Sequence, residues 1–156
     1  MSALAHAVAL IRRWEGCRLL AYPDPEANGI LWTIGFGATG PGIKQGTKWT
    51  QTQADERLAQ DVKRFMAGVQ SVVKVDVSDN ELGALTSLAY NIGVKAFSTS
   101  TLLKLLNRGD KKGAAKQFDR WNRDDGKVVA GLANRRADER KVFEQEAEAD
   151  EARPDA

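Results

Sequence analysis

The sequence predicts an α+β fold in which a small β-hairpin lobe packs against a larger helical lobe. Three observations carry this. Apolar residues recur at helical spacing over most of the chain, strand-forming residues concentrate between 17 and 40, and that stretch holds an Asn28-Gly29 hairpin signal. A lone hairpin is not stable in water, so it must pack on the helices and leave a groove beside it. At 156 residues the chain can bury roughly two thirds of its unfolded surface. We expect one domain over 1–147, with a β lobe at about 17–48, a helical lobe at about 50–147 joined by the first helix at 3–15, and an acidic tail at 148–156.

Each element has its own signal. Leu4, Val8 and Ile11, with Ala7, Leu10 and Trp14 beside them, mark an amphipathic helix over 3–15 that Gly16 ends. "LLAYPD" and "ILWTIGFG" are the strands flanking Asn28-Gly29, the only convincing β region. Thr50 and Gln53 form a capping box that opens a long helix to about 72, striped by Leu58, Val62, Phe65, Val69 and Val72. Ser78 and Glu81 repeat the signal, and Leu82, Leu85, Ala89 and Ile92 carry that helix to Gly93. Three shorter helices fit 99–107, 112–122 and about 131–147, making five helices after the hairpin.

Charge and composition narrow the partners without choosing one. Residues 144–156 hold six acids against Arg153, which leaves 22 basic and 15 acidic side chains, a net +7, on residues 1–143. A basic body favours a polyanion such as nucleic acid, a membrane surface or a wall polymer. No apolar run approaches the roughly 18 residues of a membrane span, and the positive charges of the opening "MSALAHAVALIRR" follow its apolar run. A soluble chain without a secretory signal and without stable membrane insertion is expected. Cys17 is the only cysteine, read as packing, and His6 the only histidine, so no disulfide, metal or cofactor is expected.

Gly35, Gly37 and Gly40 spell G-x-G-x-x-G, the spacing of a dinucleotide loop. Such a loop needs a helix at its third glycine and a parallel strand ending in an acid some 20 residues on. Here Pro41-Gly42 follows at once, and Asp55 and Glu56 lie inside a capped helix. The glycines are read instead as bending a hairpin so that backbone can pass close to another surface.

The hairpin's surroundings carry chemistry. Glu15 ends the apolar face of the first helix, where a carboxylic acid is partly desolvated and suited to donate a proton. Asp24, between Pro23 and Pro25, belongs on an extended polar loop. Thr33 points to the sheet face opposite Trp32 and Ile34, with only glycines for company. An acid in a dry place, a carboxylate in a wet one and a hydroxyl in an open strip are what glycosidic cleavage requires.

The run "WEGCRLLAYPD…TIGFGATG" resembles the phage-type lysozymes, the endolysins of glycoside hydrolase family 24, and "LAYNIGVKAFSTSTLLKLLN" and "GLANRRADERKVF" extend the likeness to about 145. The resemblance implies a lysozyme-like fold with Glu15 as general acid, Asp24 positioning the attacking water or supporting the developing cation, and Thr33 helping to hold that water. It implies cleavage of peptidoglycan between N-acetylmuramic acid and N-acetylglucosamine. Thr39, Tyr90 and Ser100 match positions lining the glycan cleft in relatives, and Arg136 matches the arginine that reaches back toward the glutamate. Ala38 stands where some relatives have a histidine. A water-first geometry implies carboxyls roughly 6.5 to 9.5 Å apart and inversion at the anomeric carbon. The partner implied is a peptidoglycan glycan strand met by a monomer that waits in the host cytoplasm until a membrane pore releases it. A lytic transglycosylase shares the general acid but does not need Asp24 to manage water. A wall-binding module without catalysis is disfavoured by the joint presence of Glu15, Asp24 and Thr33, and a nucleic-acid-binding domain by the acidic tail and the lack of any recognised motif.

Overall fold

The computed structural model describes residues 1–26 and 29–146; Asn28 of the expected turn, residue 147 at the end of the expected last helix and the acidic tail at 148–156 lie outside them. Helix α1 spans Ala3–Glu15, capped by Ser2, whose hydroxyl accepts from the Ala5 amide. It ends where Gly16 takes a φ of 69°, a left-handed value that glycine adopts without strain. Strands β1 (Arg18–Glu26) and β2 (Gly29–Gly35) pair antiparallel with Tyr22 opposite Thr33 and Asp24 opposite Leu31. The returning loop adds two backbone bonds, from the Ala21 amide to Thr47 and from the Trp49 amide to Leu19. Under the hairpin, Ala21, Ile34 and Ala38 are buried with Trp32, Ile43 and Trp49 packed on them.

Helix α2 (Gln51–Val72) starts from the expected capping box, with Thr50 and Gln53 each bonding the other's backbone amide. Helix α3 (Asp79–Ile92) repeats the device with Ser78 and Glu81. Every residue from Leu82 to Ala89 is buried, which marks α3 as the helix around which the lobe is assembled, since only a central helix hides all its faces. Around it lie α4 (Val94–Ser98), α5 (Thr101–Asn107), α6 (Lys111–Gln117), a 3-10 turn (Phe118–Arg120) and α7 (Ala130–Glu144). The main core joins Leu85, Leu88, Phe97, Leu102, Leu106, Phe118 and Phe143. Among the described residues no helix is long and apolar enough to cross a membrane.

Three departures from the expected elements have physical causes. A sixth helix after the first hairpin, α4, fills 94–98; five residues are too few to show a period. The expected 112–122 helix tightens into 3-10 geometry after Gln117. A second hairpin pairs β3 (Arg123–Asp124) with β4 (Lys127–Val128) through Asp125 and Gly126 at φ 51° and 77°. Asp-Gly is itself a hairpin signal, but two-residue strands leave no alternation to read.

The close crossing of α1 and α3 depends on Gly83, where a methyl group would press into the His6 side chain and stand 3.0 Å from the Ala3 carbonyl oxygen. Overpacking of this kind costs about 1–3 kcal/mol, against a helix-propensity gain of up to about 1 kcal/mol. Gly83→Ala should therefore lower the urea midpoint of unfolding, and a raised midpoint would show that α1 can move away from α3 freely.

Candidate active site

The two lobes meet at a cavity of about 260 Å³. Its β wall follows from strand alternation: residues 22, 24, 31 and 33 share one sheet face, and Tyr22, Asp24, Leu31 and Thr33 all line the cavity. The opposite face sends Trp32 and Ile34 into the hairpin core. Thr33 is buried, and its hydroxyl donates to the Leu31 carbonyl at 3.2 Å, so its oxygen keeps lone pairs for a further partner. Glu15 enters from the last turn of α1, and Thr39, Tyr90 and Asn91 complete the far side.

The turn that follows β2 runs beside Glu15 and Tyr90. A side chain at Gly37, which has φ 97°, would begin 3.7 Å from Glu15 Oε1 and 3.8 Å from the Tyr90 hydroxyl. The left-handed φ, rather than lack of space, is what calls for glycine in this turn beside the glutamate. Ile34 and Ala38 bond each other in both directions, at 3.0 and 2.8 Å, closing the turn that the glycine run predicted. Ala38 is buried against Ala21 and Ile34. The polar link from this loop to α2 is Arg57, whose Nη2 donates to the Thr39 carbonyl at 2.8 Å while its Nε bonds both oxygens of Asp61.

Glu15 is about a quarter exposed, and its Oε2 accepts from Arg135 Nη1 at 2.7 Å. Arg135 is itself fixed by Glu139 Oε2 at 3.2 Å and the Ser87 carbonyl at 3.3 Å. This corrects the expectation for Arg136. That residue is fully buried, makes an ion contact from Nε to Glu139 Oε1 at 2.7 Å without hydrogen-bond alignment, and donates from Nη2 to Glu139 Oε2 at 3.1 Å. Adjacent helical positions differ by about 100° in direction, and packing on α3 turns residue 135, not 136, toward α1. Ser100 is a second correction: it is buried away from the cavity as the cap of α5, accepting from the Leu103 amide and donating to the Phe97 carbonyl.

Glu15, Asp24, Thr33, Thr39 and Tyr90 are therefore brought together, while Ser100 and Arg136 are not. Tyr22, Asn91 and Arg135 went unread in the sequence. For Tyr22 the signal was available, because it lies two residues before Asp24 and must share its face. Cys17 is half-buried against the cluster of Ala7, Ile11 and Phe36, as expected of a packing residue. A larger recess of about 340 Å³ lies between α1 and α7 beside His6 and Arg13. Its carboxylate, Asp138, is occupied by Trp14 and Arg13 at 2.8 and 3.0 Å, so it offers no comparable pair of acids. No group of residues that could hold a metal ion occurs among the described residues.

Two tyrosine hydroxyls on the cavity wall are held in their neutral form. Partial burial and then Asp24 push the Tyr22 hydroxyl above its ordinary range, with Arg18 opposing and Glu15 adding. Tyr90 is pushed further, mostly by burial and then by the charges of Glu15 and Asp61. Its hydroxyl donates to the Phe36 carbonyl at 2.8 Å, and it stays protonated as that donor at any pH near neutrality.

A helical lobe holding a glutamate at a helix tip over a small hairpin sheet with an aspartate is a lysozyme-type architecture. The chain belongs to the phage lysozyme family, whose profile matches residues 12–139. It is similar to the endolysin of Bacillus phage PZA, at 42% identity over 136 residues, covering 87% of this chain and 52% of the relative. The chain thus spans about half the length of that relative. It is 40% identical over 141 residues to the endolysin of Acyrthosiphon pisum secondary endosymbiont phage 1, covering 88% of this chain and 94% of that one. Among solved structures it resembles the muramidase domain of SpmX from Asticaccaulis excentricus, with a TM-score of 0.81, 33% identity, and 90% and 95% of the two chains covered.

Two outcomes are expected from these interactions. Glu139→Ala leaves Arg135 and Arg136 buried without their shared anion and should cost about 3–5 kcal/mol of stability, readable as a large fall in the denaturant midpoint. The raised Tyr90 pKa means the folded state prefers the neutral phenol. That contribution is complete below about pH 10, where an unfolded tyrosine ionises, and is lost as pH rises toward the folded value. Urea stability should decline above about pH 10, and Tyr90→Phe should lessen the decline.

Proposed function

We propose that this chain hydrolyses the β-1,4 bond between N-acetylmuramic acid and N-acetylglucosamine in peptidoglycan, lysing the host cell as an endolysin. The observation that carries this is the meeting of Glu15 and Asp24, from different lobes, on one open cavity. In this reading Glu15 gives its proton to the bridging oxygen as the bond from the anomeric carbon breaks. Asp24 positions the attacking water and offsets the growing positive charge on the ring, and Thr33 helps to hold that water. The water's oxygen bonds to the anomeric carbon, one of its protons passes to Asp24, and the product anomer is inverted. Thr39 and Tyr90 line the glycan path.

Membership of the phage lysozyme family and similarity to phage endolysins support the reading. So does the +7 charge of residues 1–143, which suits an anionic envelope at low salt. The chain acts as a monomer without a cofactor, waits in the host cytoplasm and reaches the periplasmic wall through a separate membrane pore.

Glu15→Gln keeps an oxygen for Arg135 and should reduce lysis of permeabilised Gram-negative cells by about 10² to 10⁴, while stability falls by no more than about 1–2 kcal/mol. Retained lysis would remove Glu15 from the acid role. Mass spectrometry of the digest separates the reading from a lytic transglycosylase: reducing ends are expected, whereas anhydro-sugar ends would favour the rival and release Asp24 from managing water.

A further inference from the structure

Arg136 does not touch the cavity, but it controls a side chain that does. Its Nη1 donates to Asn91 Oδ1 at 2.8 Å and more weakly to the Trp121 carbonyl at 3.4 Å. A guanidinium has no acceptor, so the atom of Asn91 that faces it must be the carbonyl oxygen. The amide is therefore oriented, with its NH2 group turned away from Arg136. Asn91 lies on the last turn of α3, is exposed, and lines the cavity with Glu15 and Tyr90. Its Nδ2 has no hydrogen-bond partner among the described residues, although Oδ1 is firmly engaged.

We propose that Asn91 is a substrate-binding residue whose NH2 donates to a neutral oxygen of the bound glycan, an acetamido carbonyl or a ring hydroxyl, with Arg136 as its positioning residue. The inference rests on the glycan-cleaving reading of the cavity. Arg136 holds the amide by a charge-assisted bond from a fully buried guanidinium. The orientation is thus set before the sugar arrives, and binding does not have to order the side chain.

The test is binding of the uncharged hexamer of N-acetylglucosamine, measured by calorimetry on Glu15→Gln protein so that no cleavage intervenes. Asn91→Asp keeps an oxygen facing Arg136 and the same shape but removes both N–H donors, and Asn91→Ala removes donor and acceptor. Both should raise Kd about 3- to 10-fold, the effect of losing one neutral hydrogen bond, with the thermal midpoint of the Asp variant near that of its parent. Because the hexamer is uncharged, the new carboxylate does not repel it. If Asn91→Asp binds as tightly as its parent while Asn91→Ala binds worse, Asn91 serves only as an anchor for Arg136, and the inference falls while the glycan reading stands. If the folded Glu15→Gln parent binds no hexamer, the glycan reading of the cavity fails and takes the inference with it.

Discussion

The buried carboxylate of Glu139 is the anchor on which the helical side of the site depends. It is completely enclosed, yet it meets two arginines and the hydroxyl of Ser87. Burial pushes its carboxyl up and the Arg136 guanidinium down, each opposed by the charge of the other. Charges in such a place persist only if paired and hydrogen-bonded. The pairing gives direction as well as neutrality. One arginine is held toward Glu15 on α1 and the other toward Asn91 on α3, so a single anion on α7 braces cavity-lining groups from two other helices.

The β side is set by a different constraint. Alternation along β1 and β2 gives Tyr22, Asp24, Leu31 and Thr33 one face, and antiparallel register places Tyr22 beside Thr33 and Asp24 beside Leu31. A one-residue slip would turn all four away from the cavity and expose Trp32 and Ile34. The hairpin core of Ala21, Ile34 and Ala38 therefore secures the cavity-lining face by making the wrong register costly. Gly37 completes the arrangement, because the turn after β2 takes a left-handed φ of 97° beside Glu15, a value that glycine adopts without strain.

Where the lobes join, Arg57 links the Thr39 carbonyl to Asp61 on α2. The loop is held from the α2 side by this guanidinium, while Ala38 adds to the apolar floor of the hairpin.

Much of this was legible in the residues. Capping boxes at Thr50 and Ser78, the terminators Gly16 and Gly93, and the helical stripes are local signals, and local signals need no knowledge of the rest of the chain. The face of Thr33 followed from a period of two, and the proximity of Glu15, Asp24 and Thr33 from the ordered blocks that carried the resemblance. The short α4 and the second hairpin were missed because a period cannot be read over two to five residues. Between the neighbours Arg135 and Arg136, or for a serine that can cap a helix or line a cleft, sequence contains no preference. Those choices depend on which side of α7 packs against α3, and on whether α5 begins in the core or at the groove. Sequence by itself determined the elements and the chemistry available at their ends. Only tertiary packing decided which of those groups share a cavity, because helix rotation and burial are properties of contacts between segments far apart along the chain.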